Sequence, residues 1–395
     1  MRYSIFKSAY KLFFTNIFLG AAIFILGALV VRFFGEDIRG LIAYFINLGP
    51  ILATIGGLGT INAFIYLEKN NKLSKNLIYK NLIQIMPILI FIGVIHSIYF
   101  YNYQNQNFLF ALVITMIPLL YYCTLLLKGW SLSKKLIRFF TYTTSAQIVG
   151  LVCLLFFAES QVFLSYFIFT ILLEFFIIAL LFLYFLKNKI TFSNEHNNEI
   201  FNDFKTKNYL SNILTVINSR ADIVLLSIFY NFELVGLYVI AKSIASQLNL
   251  VANSINSLLY GHFLSVQDNK NDFRRILFYL AIVVVLLSLL IIIFGKGFIS
   301  LFFGESYSYL SELLNILVIG TAIYCISQPF NSLFLSRNKA EFNSISILIS
   351  LLPYPLFLLY FYDLYGLLGI GYAFVFSNFL LISSRFYFYG KIRSK

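Results

Sequence analysis

Four ionisable side chains stand inside apolar runs of this sequence: Glu174, Arg220, Asp222 and Lys242. A charge in hydrocarbon costs at least ~2.5 kcal/mol, so such residues turn inward, pair with one another or face a wet cavity. Asp222 lies about eight residues from the outer end of its run, and Lys242 about seven from the outer start of the next. With a fixed rise per residue their depths agree within one helical turn, so they can pair across two consecutive helices. Arg220 is two positions from Asp222, about 200° around a helix, and does not face it. Its guanidinium fork suits the oxygens of a phosphate. The alternative is a bond to backbone carbonyls at a helix break. Glu174, midway along its run, is a candidate carboxylate for a coupling proton or Na+; it can equally stay neutral and hydrogen-bonded. Arg32 and Arg39 stand at an outer mouth, where they either assist an anion or snorkel to the interface. These residues form no nucleophile–base pair and no metal-ligand spacing, so no catalytic residue, cofactor or metal is expected.

The elements that must carry these charges follow from composition. Of 395 residues, 60% are hydrophobic and only 11% charged, against about 25% charged in soluble domains. Mean hydropathy is +0.85. The class is a polytopic membrane protein. Helices are expected, because an open strand edge is not tolerated in lipid. A span needs ~20 mostly apolar residues, and twelve runs qualify. They lie near 12–34, 41–66, 81–101, 107–127, 139–158, 162–186, 209–230, 235–261, 276–294, 309–335, 343–361 and 366–389. Cys123, Cys153 and Cys325 fall inside these runs as small core residues. His96 and His196 belong to no constellation. Pro50, Pro87, Pro118, Pro329, Pro353 and Pro355 should kink their spans, and GGLG at 56–59 permits bending or close approach. The 19% aromatic content goes with an excess of Ile, Asn and Lys that reads as nucleotide bias, not as a sugar-stacking signal.

Charge placement orients the chain. With the N-terminus in the cytoplasm, all but five of the 29 basic residues fall in cytoplasmic segments near 2–11, 69–80, 128–138, 187–207, 270–275, 337–339 and 385–395, as the positive-inside rule requires. The excess of +13 therefore faces anionic lipid, not nucleic acid. Both termini are expected inside. The polar segment 187–208 divides a lobe of six helices, 1–186, from a second, 209–395. No loop is long enough to hold a catalytic domain. FFGEDIRG (33–40) aligns with FYNFELVG (229–236) at an offset of 196 residues. Six spans separate them, so the halves read as a parallel repeat about an axis along the membrane normal.

The stretch FFGEDIRGLIAYFINLGPILATIGGLGTINAFIYLEKN (33–70) resembles the first outer loop and second helix of bacterial polysaccharide (O-antigen type) flippases. These belong to the multidrug/oligosaccharidyl-lipid/polysaccharide (MOP) exporter superfamily. SRADIVLLSIFYNFELVGLYVIAKSIASQLNLVANSINSLL (219–259), LFFGESYSYLSELLNILVIG (301–320) and YDLYGLLGIGYAFVFSNFLL (362–381) are similar to later helices of that family. His262 departs from it, standing where a proline is expected. The resemblance implies two six-helix lobes around a central cavity. It also implies an inner-membrane flippase for undecaprenyl-pyrophosphate-linked oligosaccharide working by alternating access, with H+ or Na+ coupling and polysaccharide-assembly proteins as partners. Arg220, Lys242, Asp222, Arg39 and Arg32 are its candidate substrate-binding residues; Glu174 and Asp222 are the coupling candidates. A cation-coupled multidrug exporter of the same superfamily is the alternative.

Overall fold

The computed structural model describes residues 2–69, 72–104, 108–133, 163–188, 198–250, 270–337 and 339–393, with isolated positions between 141 and 152 and at 252 and 259. Most of the expected span 139–158, residues 189–197 of the 187–208 segment, Cys153, His196 and His262 lie outside the described residues; the rest of that segment, expected as a polar linker, is helical from 198. Every regular element among those described is helical. In sequence order they are α1 (Arg2–Gly56), α2 (Thr60–Lys69), α3 (Lys75–Gln104), α4 (Phe108–Ser133), α5 (Phe163–Asn188), α6 (Asn198–Asn218), α7 (Ala221–Phe229), α8 (Phe232–Ala245) and α9 (Lys270–Phe303). A 3₁₀ turn (Glu305–Leu310) follows, then α10 (Ser311–Ser336), α11 (Ala340–Leu351), α12 (Tyr354–Tyr365) and α13 (Leu367–Arg393). Among the described residues six helices are long and apolar enough to cross a membrane, or up to eight when each sharply bent pair is one span.

The expected spans meet these helices with three instructive differences. First, α1 carries both of the first two runs, joined at Gly35, whose φ of 82° and ψ of 178° belong to glycine alone. Twelve residues of straight helix would separate Gly27 from Arg39 by about 18 Å, yet the Arg39 guanidinium packs on Gly27. The chain therefore folds back at Gly35, between the two expected spans. Second, the run 41–66 is bent by 75° at the GGLG stretch. Thr60 Oγ1 donates to the Gly57 carbonyl at 2.6 Å and the Tyr209 hydroxyl donates to the Ile55 carbonyl at 2.8 Å, each beside a backbone turn bond, so side chains brace the bend. Third, α9 continues past the expected end at 294 to Phe303, so the outer stretch 295–308 is mostly helix and 3₁₀ turn.

Contacts divide the chain into two compact units, residues 44–220 and residues 1–43 with 221–395. In the first, α4 packs on α2, α3 and α5. Its core is aromatic: Trp130 is fully buried and stacks on Phe182 at 5.9 Å, with Phe64 against Phe201. In the second, α10 and α13 run together at the centre, and α9, α11 and α12 pack around them. Lipid supplies no hydrophobic drive between helices, so close packing has to hold them. A close backbone crossing in this unit joins the two copies of the repeated motif. Gly40 lies against the Phe232 carbonyl and the Gly236 amide, and Gly236 lies against the Glu36 carbonyl. Residues 36 and 232, like 40 and 236, stand at the repeat offset of 196. The crossing is thus its own image under the repeat, as a two-fold relation between parallel helix starts requires.

Candidate functional site

The C-terminal unit holds the expected ion pair. Lys242 Nζ, on α8, donates to Asp222 Oδ2, on α7, at 2.6 Å, and the Tyr238 hydroxyl donates to the same oxygen at 2.7 Å. Asp222 is only 5% exposed. The Lys242 ammonium also sits 3.4 Å above the centre of the Phe374 ring, a cation–π contact with α13. The turn between α7 and α8 sets this geometry. Asn231 caps α8 by accepting from the Leu234 amide, so the two helices reverse tightly and bring positions 222 and 242 to one depth.

Arg220 belongs to the other unit and to a different environment. It stands in the break between α6 and α7. It is half-buried, and its Nη1 donates to the Ile46 carbonyl at 3.2 Å and to Asn47 Oδ1 at 3.1 Å. One turn further along α1, Gly49 receives the ring of Tyr121 from α4. Arg220 and Glu174, on α5, both lie within electrostatic reach of Tyr121 and of Lys128, two turns along α4. Two cations and one carboxylate thus gather beside a polar stretch of α1. Basic-residue placement puts Lys128 in a cytoplasmic segment, whereas α4 carries it into this cluster. Its only sequence signal is the seven-residue spacing from Tyr121, which puts both on one helix face.

The remaining candidates are dispersed. Arg32 is exposed and donates to the Leu301 carbonyl. Arg39 is buried, so it does not snorkel, and its Nε has no hydrogen-bond partner among the described residues. Sequence reasoning also misses Arg385. Basic-residue placement assigns it to a cytoplasmic tail, but it is 3% exposed inside α13. Its Nη1 donates to the Ser327 carbonyl at 2.6 Å and to Ser327 Oγ at 2.9 Å, and its Nη2 donates to Asn343 Oδ1 at 2.8 Å. Tyr324 lies within electrostatic reach of both Arg385 and Asp222. Polar groups therefore run through the C-terminal unit from the ion pair toward the far end of α13. His96, in the other unit, shares a 2.8 Å hydrogen bond with the Tyr44 hydroxyl. Among the described residues no three His, Cys, Asp or Glu side chains are grouped to hold a metal ion.

A family model described as "Polysaccharide biosynthesis protein" matches residues 40–312, well over half of the chain. The chain belongs to the polysaccharide biosynthesis protein family. No curated protein matches it in sequence. Solved structures show its fold. The lipid II flippase MurJ in an inward closed conformation superimposes with a TM-score of 0.72 at 16% identity, covering 96% of this chain and 87% of that one. A MATE family multidrug resistance transporter of the MOP superfamily in an inward-facing conformation gives 0.69 at 14%, covering 95% and 94%. The MATE multidrug transporter DinF-BH gives 0.69 at 14%, covering 98% and 96%. This member of the polysaccharide biosynthesis family is therefore an all-α membrane protein with the fold seen in the lipid II flippase and MATE transporter structures. The layout of about twelve helices in two lobes agrees with that shared fold.

Proposed function

We propose that this protein is a flippase that moves undecaprenyl-pyrophosphate-linked oligosaccharide from the cytoplasmic to the outer leaflet of the bacterial inner membrane by alternating access. The observation that carries this reading is Arg220, half-buried at a helix break in a family member with a transporter fold. Its guanidinium meets neutral acceptors on α1, the Ile46 carbonyl and Asn47, and has Lys128 and Glu174 nearby. A guanidinium fork in that position suits the oxygens of a phosphate. The diphosphate headgroup docks on this cluster while the lipid tail stays in the bilayer.

Asp222 and Glu174 are the coupling candidates for H+ or Na+, and Lys242 is the residue that must release Asp222 before a cation can take its place. Arg39 and Arg32 fit this scheme less well. One is buried against Gly27, the other bonds a backbone carbonyl. The multidrug-exporter reading is favoured by the likeness to MATE transporters, which is nearly as close as that to the lipid II flippase. Its cargo needs an available acid, and Asp222 is already engaged by Lys242 and Tyr238. Deletion in the native host distinguishes the two. A flippase loss leaves lipid-linked oligosaccharide on the cytoplasmic leaflet. Unchanged surface glycan, with raised sensitivity to cationic drugs, would favour the exporter.

A further inference from the structure

The end of the C-terminal unit opposite its basic clusters (Lys270–Arg275 on α9, Arg337 and Lys339 beside α10) contains a cavity of about 580 Å³. By the positive-inside rule this is the non-cytoplasmic end. Four chain segments build it: the last turns of α9, the 3₁₀ turn, the start of α10 and the junction of α12 with α13. Leu310 and Leu313, both buried, line its inner side and tie it to the core. Around them stand Tyr309 and Tyr365, with Ser308 and Ser311 supplying hydroxyls and Lys296 and Glu312 supplying opposite charges. The two tyrosines are 57% and 56% exposed. Tyr365 is held edge-to-face by Tyr372 at 5.3 Å, which orders its ring without covering it.

Two features narrow the ligand. The volume lies inside the range of small-molecule sites, about 300–1,000 Å³, and suits roughly a di- or trisaccharide. Lys296 and Glu312 line one cavity yet form no ion pair among the described residues, so both remain open to a ligand. A nucleotide or other polyanion would want cations without Glu312. An organic cation would want the acid without Lys296. A sugar wants what is present: aromatic faces for its C–H surfaces, hydroxyls, and one donor and one acceptor at the rim. We infer that this cavity is an outer saccharide subsite, which holds the oligosaccharide end of the cargo after it has crossed. The inference rests on the flippase reading for the identity of its ligand, but not for the existence of the site.

The test uses the full chain in lipid nanodiscs. The probe is the soluble oligosaccharide released by mild acid from the host's own lipid-linked pool, followed by saturation-transfer NMR. The expected result is saturable transfer to the sugar, reduced at least tenfold in apparent affinity by Tyr309→Ala or Tyr365→Ala and retained in Tyr309→Phe. Glu312→Gln and Lys296→Gln change only exposed side chains, so they leave folding intact and should each weaken binding. Absence of binding by the unmodified chain, or binding indifferent to all four cavity positions, would overturn the subsite. If binding maps to the cavity while deletion leaves lipid-linked oligosaccharide correctly placed, the subsite stands and the flippase reading fails.

Discussion

At the residue scale, the Asp222–Lys242 pair and Arg220 stand in different environments although two positions separate Asp222 from Arg220. The pair is buried and satisfied: one carboxylate oxygen receives an ammonium and a phenol. Removing one partner strands a charge, at about 3–5 kcal/mol, whereas removing both costs far less. Asp222→Ala and Lys242→Ala should each lower the melting temperature of detergent-solubilised protein markedly. The double variant should be more stable than either single one, and strictly additive losses would show that the pair contributes no coupling. This pairing is legible in the sequence because helical rise fixes depth, and two runs joined by a short turn must share it. The partners of Arg220 are not legible. Ile46 and Asn47 lie 174 and 173 residues away, and no local pattern encodes a contact across that separation. Lys128 and Arg385 are misplaced for a related reason: basic residues near helix ends read as loop charges whether they point to water or back into protein.

At the element scale, hydropathy locates the apolar runs but does not show where they bend. The turn at Gly35 coincides with a polar cluster and can be read. The bend at 57–59 has its glycines as a signal. The break at Ser219–Arg220 has neither glycine nor proline, and only the presence of a charge in an apolar run hints at it. Pro87 and Pro118 lie inside α3 and α4, and neither ends its helix. The repeat is readable as a spacing, and the structure gives it a physical content in the Gly40–Gly236 crossing. A methyl group at Gly40 would overlap the Phe232 carbonyl, and one at Gly236 the Glu36 carbonyl. Overpacking of this kind typically costs about 1–3 kcal/mol. Gly40→Ala and Gly236→Ala should therefore each destabilise the protein. Because one separation of the helices relieves both overlaps, the double variant should cost less than the sum. Gly297→Ala, where a methyl group meets nothing, is the neutral control in the same thermal assay.

At the scale of the whole molecule, composition and basic-residue placement are enough for a polytopic helical membrane protein, and the loose motifs are enough for a polysaccharide biosynthesis family. Cargo is written less plainly, because one fold is shared by a lipid II flippase and by multidrug transporters. The account therefore turns on the charge of one of them. In the deletion host, complementation with Arg220→Glu, expressed and inserted at the level of the unmodified protein, should leave lipid-linked oligosaccharide inaccessible from the outer face. Arg220→Lys, which keeps the charge but loses the fork, should restore part of it. The most direct measurement is the fraction of that oligosaccharide reached by an impermeant sugar-modifying reagent. Full access with the unmodified chain and almost none with Arg220→Glu is the predicted result. Equal access with both would contradict the central claim.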